Sequence, residues 1–112
     1  MITVFILTNN HDSQQTLQLK QAFEANGALV SIGDSLYNLD EPKNIIIVDL
    51  DSLDIRDTEE FKDKLSNLAT RILFICTTSF QRLFYYNEFE TYTSVDNLLQ
   101  REFFAFPALP NT

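Results

Sequence analysis

The sequence predicts a doubly wound α/β domain built on a parallel sheet, and three observations carry that prediction. Ile45, Ile46, Ile47 and Val48 form an unbroken apolar run. A run without in/out alternation suits a strand buried on both faces, as a parallel sheet under helices requires. Two more such runs, Ile2 to Leu7 and Arg71 to Cys76, flank it in the chain. Between them lie segments with helical apolar spacing, so strands and helices alternate along the chain.

The first run, Ile-Thr-Val-Phe-Ile-Leu, reads as a strand that ends in the polar stretch Thr8 to Asp12. Asp12 or Ser13 then caps a helix to about Asn26. Leu19, Ala22 and Phe23 form its buried stripe, with Leu17 on the flank. Gly27 supplies the left-handed stop, and Ala28 to Ile32 follows as a second strand. Gly33 to Pro42 is polar and short. It has room for at most one turn around Leu36 to Leu39, so the second helix is short or missing. The central strand comes next and delivers Asp49 and Asp51 at its carboxyl end, where open α/β sheets build their sites.

A further helix starts near Asp57, which with Glu60 resembles a capping box. Phe61, Leu65, Leu68 and Ala69 supply its apolar stripe. Acids at its start and bases later suit the helix dipole. The fourth strand, Arg71 to Cys76, ends in Thr77-Thr78-Ser79. Phe80 to Asn87 reads as a short helix, and Phe89 to Thr93 as a short edge strand. Ser94 caps a last helix from Val95 to about Phe104, with Val95, Leu98, Leu99 and Phe103 on one side. Residues 1–106 are thus expected to form one domain and 107–112 a flexible tail. Five strands in this order suit the flavodoxin-like arrangement 2-1-3-4-5.

Composition narrows the function classes. Eight basic against sixteen acidic residues give a net charge of -8, which argues against direct contact with nucleic acid or an anionic membrane. A basic protein partner or a bound cation remains compatible. The single cysteine, Cys76, excludes an internal disulfide and a cysteine-based metal cluster. The first residues lack the basic start and cleavage site of a signal peptide. No apolar run approaches the roughly 20 residues of a membrane span. The expected location is the reducing cytoplasm.

With these elements in place, the chain resembles the receiver domain of bacterial response regulators along nearly its whole length. In that family a phosphoacceptor aspartate ends the third strand, where Asp49 stands. A Thr or Ser ends the fourth, which Thr77 or Thr78 matches as a switch hydroxyl. The family also carries an acidic pair after the first strand, holding a magnesium ion. Aligned through Gly27, the chain has Asn10 and His11 there, with Asp12 one step beyond. The family's lysine after the fifth strand is missing, since no lysine follows Lys64. Mg²⁺ wants carboxylates, and a phosphoryl group wants a nearby cation. The resemblance therefore implies a receiver domain that has lost its phosphorylation chemistry. It would act by protein–protein contact in a response regulator or transcription regulator, not as an enzyme. The alternative is a receiver that accepts phosphate on Asp49, with Mg²⁺ as its cofactor and Asp12, Asp49 and Asp51 as weak ligand candidates.

Each candidate has a plainer structural reading. Asp49 can cap its own turn, and His11 can be a solvated loop residue. Cys76 and Arg82 match the Cys-x5-Arg spacing of cysteine phosphatases and some arsenate reductases, which makes a Cys76-dependent enzyme a second alternative. No glycine lies between them to turn backbone amides onto an oxyanion, so a small core residue is the plainer role.

Aromatic residues crowd the last third: Phe80, Phe84, Tyr85, Tyr86, Phe89, Tyr92, Phe103, Phe104 and Phe106. In so small a domain they form either an exposed interface or an unusually aromatic core. The interface reading places a protein partner, or a second copy of the chain, on residues 80–106.

Overall fold

The computed structural model describes residues 1–78, 85 and 88–104, with only the backbone of residue 104. The strands are β1 (Thr3–Leu7), β2 (Leu29–Gly33), β3 (Lys43–Asp49), β4 (Ala69–Ile75) and β5 (Glu90–Tyr92). All pair in parallel, in the order β2-β1-β3-β4-β5. The described helices are α1 (Gln14–Ala25), α2 (Thr58–Leu68) and α3 (Val95–Leu99), the last continued by a π turn over Gln100–Phe104. The fold is the flavodoxin-like arrangement that the apolar runs predict.

The central run is buried as expected: Ile45 is 7% exposed, and Ile46, Ile47 and Val48 are fully enclosed. Alternate residues of the sheet feed two cores. On one face Val4, Ile6, Ile45, Ile47, Leu73 and Ile75 meet Leu19 and Phe23 of α1 and Val95, Leu98 and Leu99 of α3. On the other, Phe5, Leu7, Ile46, Val48, Ile72 and Phe74 meet Leu65 of α2.

The local signals act as their chemistry requires. The Ser13 hydroxyl caps α1 by accepting from the Thr16 amide, and Asp57 caps α2 by accepting from the Glu60 amide. Gly27 takes φ +92°, the left-handed conformation that stops α1. Between β2 and β3 the chain makes one 3₁₀ turn, Leu36–Asn38. Ser35 caps it, and the Asn38 side chain accepts from the Ser35 amide in return. Among the described residues no full helix therefore covers β2 on this face. A cavity of about 670 Å³ lies there, between that turn, the loop through Leu53 and Ile55, and the side of α2 bearing Phe61, Lys64 and Leu68. No described helix is long and apolar enough to cross a membrane.

Candidate functional site at the carboxyl edge of the sheet

The carboxyl ends of β1, β3 and β4 gather the polar residues that follow their apolar runs. The register pairs Leu7 with Val48, which sets Thr8 level with Asp49. Thr8 is fully buried, and its hydroxyl donates to Asp49 Oδ2 at 2.8 Å. The Thr8 hydroxyl oxygen in turn accepts from the Asn10 amide at 2.9 Å. Ser52 closes the other side. Its hydroxyl donates to the Asp49 carbonyl (3.0 Å) and accepts from the Asn9 amide (3.0 Å). The Asn9 side-chain amide donates to the Ser52 carbonyl at 2.7 Å. The loops after β1 and β3 are thus stitched together by neutral groups around one partly exposed carboxylate.

Asp51 serves a different strand. The 3₁₀ turn Leu50–Ser52 carries it toward β4, where it accepts from the Thr77 hydroxyl (2.8 Å) and the Thr77 amide (3.1 Å). Thr77 therefore ties to Asp51, and Thr78 contributes its carbonyl to the Cys76 thiol (3.3 Å). Asp12 and His11 are exposed on the turn before α1.

The geometry bears on three readings of the sequence. The alignment through Gly27 places Asn10 and His11 opposite Asp49, whereas strand register brings Thr8 and Asn9 there. Asp12, Asp49 and Asp51 do not form a joint cation site: Asp49 binds Thr8, Asp51 binds Thr77, and Asp12 stands on the exposed turn. Among the described residues no three His, Cys, Asp or Glu side chains form a metal-binding set. The donors beside Asp49 are two hydroxyls and an amide, which do not fit Mg²⁺ and its preference for carboxylates.

The third concerns the aromatic residues. Tyr85 is 3% exposed and stacks on Phe74, with ring centroids 4.4 Å apart. Phe89 meets Phe74 edge-on at 5.3 Å, and Phe103 meets Phe23 edge-on at 5.0 Å. Tyr92 packs against the α1 core. These four serve the core rather than an exposed patch. Phe80, Phe84, Tyr86, Arg82 and Phe106 lie outside the described residues, as do the expected helix from Phe80 to Asn87, apart from Tyr85, and the tail 107–112; of Phe104 no side chain is described.

Burial pushes the Tyr85 phenol above its usual pKa. Above its ring, 5.6 Å from the centroid, sits Lys62, which is 8% exposed despite its charge. Its ammonium donates to Glu88 at 2.7 Å, which raises its pKa. Cys76 is 1% exposed.

Comparison of the chain with family models, with curated proteins and with solved structures finds no match in any of the three.

Proposed function

We propose that this chain is a receiver-type regulatory domain that works by protein–protein contact without phosphorylation. The observation that carries the reading is the Thr8–Asp49 hydrogen bond. An acid ends the central strand of a 2-1-3-4-5 sheet, the position that the receiver reading gives to a phosphoacceptor. Yet the groups bonded around it are neutral donors, and among the described residues no second carboxylate joins it in a metal-binding set. The residues after β5, Thr93 and Ser94, are spent on α3, with Ser94 accepting from the Asn97 amide. Neither brings a cation to an incoming phosphoryl oxygen.

Partner contact is assigned to the surface around β5 and α3, on the reading that receivers use this side for partners. The partly exposed carboxylate of Asp49 is what the alternative, a phosphorylatable receiver, has in its favour.

Acetyl phosphate or beryllofluoride with Mg²⁺ separates the two. Under the proposal, intact mass shows no stoichiometric adduct and the amide spectrum does not change. An adduct that disappears in Asp49→Asn establishes the alternative instead.

A further inference from the structure

Among the described residues, the outer edge of β2 carries none of the common devices that keep a strand from pairing. Leu29 donates its amide to the Ile2 carbonyl (2.8 Å), and the Gly33 carbonyl accepts from the Thr8 amide (2.9 Å). Leu29, Ser31 and Gly33 therefore turn their backbone groups inward to β1. By the alternation of a strand, Val30 and Ile32 turn theirs outward. No described group meets either pair. Sheet edges are normally blunted by charge, proline, a bulge or a covering element. From Asn26 to Gly33 there is no charged residue and no proline. The register from Thr3–Leu29 to Leu7–Gly33 runs without a bulge. The short turn at Leu36–Asn38 leaves Leu29 60% exposed on the face that a full second helix would cover.

We propose that two copies of this chain join through β2, edge to edge and antiparallel, with the two-fold axis at Ser31. The uncharged, self-complementary pattern of β2 selects a second copy as the occupant of that edge. A net charge of -8 pushes copies apart almost everywhere, and β2 is a stretch where they meet without an acid on either side. The strand is also complementary to itself in this register. Val30 of one copy faces Ile32 of the other, and the pair exchanges both N–H···O=C bonds, which suits their outward backbone groups. Ser31 faces Ser31 of the second copy, so two hydroxyls meet at the axis. Leu29 faces Gly33 of the second copy, which has no side chain to oppose it. Asp34 falls opposite Ala28, so no like charges confront each other. One such contact closes the assembly, because each chain has one β2 edge. The inference rests on the backbone and charge pattern of β2 and does not depend on the receiver reading.

Sedimentation equilibrium and residue-resolved amide exchange test it on the full chain. The parent is expected to show a two-chain mass at high micromolar concentration. With rising concentration the Val30 and Ile32 amides should gain protection, while the Ser31 amide, already bonded to β1, should not. Val30→Pro removes an outward N–H and no bond to β1. Ser31→Lys places like charges on each other at the axis. Each is expected to weaken association at least about tenfold, and salt should partly restore the lysine variant. If Val30→Pro fails to fold, Ser31→Lys alone decides, because that side chain is exposed. A parent that stays monomeric overturns the inference. So does a dimer that resists both substitutions, or one that Tyr86→Glu dissociates while they do not.

Discussion

The fully buried hydroxyl of Thr8 donates to Asp49 Oδ2 at 2.8 Å, so the first strand supplies the acid of the third with a neutral partner. Three further bonds close around this contact, through Asn10, Ser52 and Asn9. The arrangement holds two loops in one geometry, and its cost of disruption should be measurable. Thr8→Val keeps the shape and deletes the hydroxyl. It takes a protein partner from a carboxylate oxygen and from the Asn10 amide, which should cost about 1–3 kcal/mol. Thr8→Ser keeps the hydroxyl and loses one methyl, worth about 1 kcal/mol. Urea unfolding should rank parent, serine variant and valine variant in that order, with similar slopes. A valine variant as stable as the parent would remove the hydrogen bond from any account of this site.

Cys76 sits at the end of β4, 1% exposed, with its thiol donating to the Thr78 carbonyl and its amide to the Tyr92 carbonyl. A thiol so enclosed reacts only when the surrounding structure opens. Alkylation in native buffer is expected to be at least about a thousandfold slower than in denaturant, since opening a core strand draws on several kcal/mol of stability. Rapid labelling of the native chain near neutral pH, together with hydrolysis of an aryl phosphate that needs Arg82, would instead favour a thiol enzyme.

The sheet was legible in the sequence because burial on both faces leaves a mark that no single contact can erase. Ile45 to Val48 could only be a central strand, and Gly27 could only end a helix with so little cost at positive φ. The site was less legible because it depends on register, which periodicity does not report. Thr8 and Asp49 each follow directly on an apolar run, and that shared position was the signal for their pairing. Counting back from Gly27 instead carried the two-residue error to Asn10 and His11. The choice of Asp51, not Asp49, as the partner of Thr77 depends on how the Leu50–Ser52 turn swings the chain, a geometry set by a few dihedral angles. Tyr85 and Phe89 stay open between core and interface in the sequence, because nothing in their spacing tells a core ring from a surface one, whereas Phe103 shares the helical spacing of Val95 and Leu99. Lys62 shows the same limit, because a lysine in a sequence does not announce a buried stem beside Tyr85 with its ammonium on Glu88.

Arg71 supplies the last prediction, because it ties the start of β4 to two other elements. Its guanidinium donates to both carboxylate oxygens of Glu90 on β5, at 2.7 and 2.6 Å, and to Glu102 in the final turn at 2.7 Å. Hydrogen bonding to Arg71 is the main reason the Glu90 carboxyl is held below its usual pKa, against the opposing effect of partial burial. A carboxylate whose pKa is lower folded than unfolded stabilises the fold above the unfolded value, about 4.3 for glutamate. That contribution fades as the pH falls through the lower, folded value. Glu90→Gln should therefore be less stable than the parent at pH 7, and the difference should shrink as the pH falls below the unfolded value and through the lower, folded one. The pair is partly exposed, so solvent screening keeps the difference at neutral pH within about 1 kcal/mol. Added salt should narrow it further. Thermal or urea unfolding of both proteins from pH 7 to pH 3 measures the gap directly. A deficit that stays constant over that range would mean that the substituted amide packs poorly on β5, and that the ion pair between Glu90 and Arg71 contributes nothing to stability.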